Sequence, residues 1–114
     1  MDGKKVQEVV AKMISEPKAI SSVEKVGASF DGSEEYYFYY PDGQYLWSIS
    51  EDPQGDNFFF FYPSSSDRSN FLRFESVKMD DKGKNDLKKL FQVVRTKLFG
   101  FDDVVDQILN RPLF

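Results

Sequence analysis

Apolar residues along this chain follow two different periods, and the change of period divides it into three stretches. Near the start, Val6, Val9, Val10, Met13 and Ile14 fall at i, i+3, i+4, i+7 and i+8. That spacing predicts one stripe of an amphipathic helix, with Lys4, Lys5, Glu8 and Lys12 away from it. Pro17 ends the helix or opens a short turn, because proline cannot sit in a helix interior. Residues 18–23 fit neither period.

From residue 24 to residue 79 the pattern is that of strands. Residues 25–30 lead into the turn signal Asp31-Gly32-Ser33. Residues 35–40 form the next strand, and Pro41-Asp42-Gly43-Gln44 is a strong turn, since proline presets φ and Asp-Gly tolerates positive φ. In residues 45–50 the side chains alternate: Tyr45, Trp47 and Ile49 share one face, predicted to pack under a helix, and Leu46, Ser48 and Ser50 share the other. A second turn spans residues 52–56. Residues 57–62 form an aromatic strand, closed by Pro63 and a serine-rich loop. Residues 71–78 form the last strand, whose alternation breaks near Ser76, as a bulge or a strand end would require.

The helical period then returns. Leu87, Leu90, Phe91, Val94 and Leu98 line one stripe, predicted to close the core. Asp80 or Asp81 can accept a backbone N–H bond as N-cap, and Gly100 suits the left-handed C-terminal position. Asp102 reads as the cap of a short last helix carrying Val104, Val105, Ile108 and Leu109, stopped by Pro112. The element order predicts an α+β fold: an N-terminal helix, an antiparallel meander of four to five strands, and two C-terminal helices packed on one sheet face. At 114 residues the length fits one domain spanning 1–114.

Composition changes the picture mainly through what is missing. Without cysteine there are no disulfides, thiolate metal sites or cysteine nucleophiles. Without histidine the commonest general base and metal ligand are gone as well. Adjacent carboxylates occur at Glu34-Glu35, Glu51-Asp52, Asp80-Asp81 and Asp102-Asp103, but neighbours on a strand point apart and the last two pairs sit where helix caps belong. No phosphate-binding loop, nucleophile motif or calcium loop is present. The expectation is a non-enzyme with neither cofactor nor metal. No signal peptide or membrane-length apolar run is seen, so the cytoplasm is the default compartment and no membrane contact is expected.

Charge and aromatic content then mark one region. Twelve of the twenty-seven residues from position 36 to 62 are aromatic, including all six tyrosines and the only tryptophan. Residues 31–56 hold seven acidic side chains and no basic one, while residues 78–97 carry a net +4. Aromatic strands can stack nucleic-acid bases, but such platforms need adjacent positive charge to hold phosphates, so direct nucleic-acid binding is not expected. The basic residues Lys82, Lys84, Lys88, Lys89, Arg95 and Lys97 fit the solvated face of the long helix.

The functional expectation is a small intracellular protein-interaction module of inhibitor, immunity, chaperone or adaptor type. Its surface would be an acidic, tyrosine-rich sheet face built from Glu34, Glu35, Tyr36, Tyr37, Tyr39, Tyr40, Asp42, Tyr45 and Glu51. The partner protein would be basic or of mixed apolar character, and the module itself a monomer or homodimer. The alternative is binding of a small apolar or aromatic ligand between sheet and helices.

Overall fold

A computed structural model describes residues 3–26 and 31–111. The first helix, α1, covers Gly3–Ser15, followed by a single 3-10 turn at Pro17–Ala19. Five strands follow: β1 (Ser21–Lys25), β2 (Glu34–Tyr39), β3 (Leu46–Glu51), β4 (Asn57–Tyr62) and β5 (Leu72–Glu75). Helices α2 (Asp81–Phe99) and α3 (Phe101–Leu109) complete the order. The sheet is an antiparallel meander in the order β1-β2-β3-β4-β5, so each strand pairs with its sequence neighbours.

Register decides the faces. Tyr36 pairs with Ile49 and Ile49 with Phe59, so Tyr36, Phe38, Trp47, Ile49, Phe59, Phe61 and Phe74 all point toward the helices. Val6, Val10 and Met13 of α1 and Leu87, Leu90, Phe91 and Val94 of α2 meet them in one buried core. The α1 stripe is therefore as its spacing predicts, with Val9 and Ile14 at its margin. Helix α2 crosses one end of the sheet: Lys88 donates to the Gly55 carbonyl in the β3–β4 turn, and Arg95 reaches Glu34 at the start of β2, with Nε 3.2 Å from Oε2. Phe91 and Tyr36 pack ring on ring between them, with centroids 5.7 Å apart.

Several boundaries differ from the sequence expectation. The first strand is Ser21–Lys25 rather than 25–30; residues 27–30 lie outside the described part. An irregular register between Ser21 and Glu24, with Ser22 at φ 53°, removes the alternation that would have marked it. The break near Ser76 is the end of β5, followed by a 3-10 turn at Ser76–Lys78. Asp80 caps α2 by accepting from the Gly83 N–H at 2.8 Å, and Gly100 takes φ 65°. Because α3 begins at Phe101, directly after that glycine, Asp102 lies inside the helix and is not its cap. Helix α2 does the packing on the sheet. None of the described α3 residues enters the core, and Ile108 and Leu109 are 65% and 76% exposed.

Candidate functional site

The residues expected to form one acidic, tyrosine-rich face are divided by the pleat between opposite sides of the sheet. Tyr36 and Tyr40 belong to the core and cannot meet a partner. Tyr36 donates its hydroxyl proton to Glu34, and burial followed by that carboxylate raises its pKa from 10.0 to about 12. Tyr40 donates to Glu16 at 3.1 Å, and its phenol too is raised, mainly by burial. Glu34 is neutralised by Arg95, and Glu51 accepts from Asn57 Nδ2 at 3.3 Å. These two acids sit opposite each other on the helix-bearing face. Asp42 and Tyr45 occupy the β2–β3 turn region at the other end, both exposed.

Three of the expected residues do share the face that no helix covers: Glu35, Tyr37 and Tyr39. Their neighbours across the sheet are Leu46, Ser48 and Ser50 on β3, then Phe58, Phe60 and Tyr62 on β4, then Arg73 and Glu75 on β5. The β4–β5 loop folds back over one end of this face. Arg68 places its guanidinium 4.1 Å from the centre of the Tyr37 ring, with Nη2 3.8 Å from Glu24 Oε2. Phe71 stands edge-on to Phe60, with centroids 5.2 Å apart. Beneath this cover Ser48 bridges the Tyr62 hydroxyl at 2.8 Å and the Glu35 carboxylate at 3.1 Å. Burial pushes the Tyr62 phenol up.

No described element covers the other end of the open face. A notch of about 330 Å³ is lined there by Val26, Asp31, Ser33, Glu35, Ser50, Phe58, Phe60 and Arg73. Arg73 turns to Glu75, and Lys78 foremost, with Arg73, holds the Glu75 carboxyl below the usual carboxylate value. Glu35 has no such partner: its side chain accepts only from Ser48, and no lysine or arginine among the described residues pairs with it. Burial accordingly raises its pKa, opposed by the Ser48 hydrogen bond.

A second concavity lies on the helix-bearing face. Because α2 crosses one end of the sheet, α1 is the helix that lies beside the far ends of β3, β4 and β5 among the described residues. The result is a groove of about 670 Å³ lined by Lys5, Val6, Val9, Trp47, Phe59, Phe61, Leu72 and Phe74. Trp47 stacks on Phe59 at 5.2 Å with an 11° tilt and meets Phe61 at 4.8 Å. As expected from the alternation, Trp47 and Ile49 share the helix-bearing face, Ile49 buried and Trp47 half-buried with Nε1 donating to the Tyr40 carbonyl at 2.9 Å, but Tyr45, expected beside them under a helix, precedes β3 and is 51% exposed.

Among the described residues no group of acids could hold a metal ion, and no helix is long and apolar enough to cross a membrane. Comparison with protein-family models, with curated proteins and with solved structures gives no significant match.

Proposed function

We propose that this chain is a small intracellular protein-interaction module, not an enzyme, and that its working surface is the open face of the sheet around Glu35, Tyr37 and Tyr39. The observation that carries this reading is the Glu35 carboxylate. It is half-buried at the wall of a notch that no other described element covers, beside the rings of Phe58 and Phe60, and the arginine that shares the notch, Arg73, pairs with Glu75 instead. A carboxylate withdrawn from water without a counter-charge is costly, and a lysine or arginine from a partner would offset that cost. The flanking rings supply apolar area, and the Phe58 ring already attracts a cation, the Arg73 guanidinium 5.1 Å from its centre. The fitting partner is therefore a protein with a basic and partly apolar surface. A catalytic role lacks support, because the hydroxyl bonded to Glu35, that of Ser48, is fully buried and held by Tyr62, out of reach of a substrate.

The test is kinetic. Once a partner is captured, its association rate is followed against ionic strength for the wild type, Glu35→Gln and Tyr39→Ala. Long-range attraction predicts that association slows as salt rises, and that Glu35→Gln flattens the dependence. Tyr39→Ala should speed dissociation and leave association nearly unchanged. A flat wild-type profile refutes the reading.

A second reading is favoured by one observation, the groove beside α1. Its volume of about 670 Å³ lies within the roughly 300–1,000 Å³ typical of small-molecule sites. Binding of a small apolar or aromatic ligand there, between sheet and helices, would use Trp47, Phe59 and Phe61 instead of the open face.

A further inference from the structure

We infer that the groove beside α1 takes a small amphipathic monoanion, an alkyl or aryl chain ending in a carboxylate, with Lys5 as its counter-ion. This rests on the second reading above and assigns the chemistry of its ligand. Among the described residues, no side chain on the groove floor offers a free polar group. Trp47 Nε1, the only side-chain donor on the floor, is already bonded to the Tyr40 carbonyl. Any polar part of a ligand must therefore lie at the rim, since a buried group without a hydrogen bond would be strongly disfavoured. The inner wall, by contrast, is the flat Trp47–Phe59 stack with Phe61 beside it, which suits an apolar chain or ring.

The rim supplies one charge. Among the described residues Lys5 is the sole ionisable side chain lining the groove; it is exposed and makes no ion pair or side-chain hydrogen bond with any of them. Lys12, two turns further along α1, differs: its ammonium is 2.7 Å from Glu16. Lys5 also borders the shallow depression next door, which Glu8 and Lys12 line with it; Glu8 does not line the groove itself. That arrangement accommodates one negative charge at Lys5 and disfavours a second placed toward Glu8. A long stem also lets Lys5 lie along an apolar chain while its head stays in water.

The probes are decanoate and decanol, which share a tail and differ in the head, titrated below their aggregation limits and followed by Trp47 emission. Decanoate should shift the emission saturably and bind about fivefold tighter than decanol, the size expected for one solvent-exposed charge pair. Lys5→Gln should bring decanoate down to the affinity of decanol and leave decanol unchanged. Leu72→Asp places a charge on the groove wall at a residue already 41% exposed, so the fold should persist while both probes are lost. If both probes bind equally and Lys5→Gln changes nothing, the groove reading stands and the Lys5 assignment falls. If neither binds, both fall. Saturable binding that survives Leu72→Asp would place the site elsewhere and overturn the proposal.

Discussion

Replacing Leu90 by alanine tests the placement of α2 on the sheet most directly. Leu90 has no accessible surface and belongs to the same core as Tyr36, Ile49 and Phe59. Its neighbour Lys89 lies on the exposed side of the same helix. A fully buried leucine truncated to alanine loses about 2–5 kcal/mol, from lost burial and from the cavity left behind. The high end applies where surrounding groups cannot collapse, and large rings wall this core. An expected loss of about 3.5 kcal/mol is a large share of the roughly 5–15 kcal/mol by which proteins are stable. With a urea m-value of about 2 kcal/mol/M, the unfolding midpoint should fall by about 1.7 M. Lys89→Ala should stay within about 0.5 kcal/mol, as exposed substitutions do. Equilibrium urea unfolding, followed by far-UV circular dichroism and by Trp47 emission, measures both. A loss below about 1 kcal/mol for Leu90→Ala, or a comparable loss for Lys89→Ala, would mean that the helix presents a different face to the sheet.

Glu35→Gln should raise stability at neutral pH, because a carboxyl whose pKa is raised on folding holds its proton more readily in the native state than in the unfolded one. The gain should shrink as pH falls through the raised value and vanish below the ordinary carboxylate range; urea midpoints at several pH values check this, and a destabilised Gln variant at pH 7 contradicts it. Tyr36, raised from 10.0 to about 12, makes the native state the weaker acid, so stability should start to fall once pH passes about 10, where the unfolded tyrosine ionises. Tyr36→Phe should lessen that alkaline loss, and an unchanged profile would argue against the burial of this phenol. Trp47 emission should lie to the blue of a solvated indole, since its ring is stacked on Phe59 and its N–H is bonded to a carbonyl; emission like free indole in the native protein would refute that packing.

The parts of this fold that can be read from sequence are those where one period dominates. The stripes of α1 and α2 are legible because Val6, Val10, Met13 and Leu87, Leu90, Phe91, Val94 repeat at helical spacing with charges between them. Strands β3 and β4 are legible because turn residues punctuate them. Which face of those strands would be covered is not, because Phe58–Phe61 put rings on both sides and alternation alone treats the sides alike. For the same reason Tyr36 and Tyr40 could not be separated from Tyr37 and Tyr39 until the helices were in place. Strand β1 escapes because Ser21, Ser22 and Glu24 carry no apolar alternation and the ladder is irregular there. The contact of Arg68 with Tyr37 joins a loop to a strand distant in sequence, and no local pattern encodes it. The stripe of α3 is visible in the sequence, but periodicity predicts an apolar face and not the element that covers it.

The charge asymmetry of the chain has a related lesson. Residues 31–56 carry −7 and residues 78–97 carry +4, which in an extended view suggests an acidic surface awaiting a basic partner. In the fold the two segments meet. Helix α2 runs across the sheet end where the acidic strands begin and turn, so Arg95 reaches Glu34 and Lys88 reaches the carbonyl of Gly55. Asp52 turns inward on its own loop, accepting the N–H groups of Gln54 and Asp56 at 3.0 and 2.9 Å. Part of the acidic excess is therefore spent on internal pairing and turn chemistry. On the proposed reading, the field left for a partner is weaker than the segment charge implies and comes from the acids that make no ion pair among the described residues, Glu35, Asp42, Glu51, Asp52 and Asp56. Within the expected face that condition singles out Glu35 over Glu34, which is why one amide substitution there should flatten the salt dependence of association more than Glu34→Gln does.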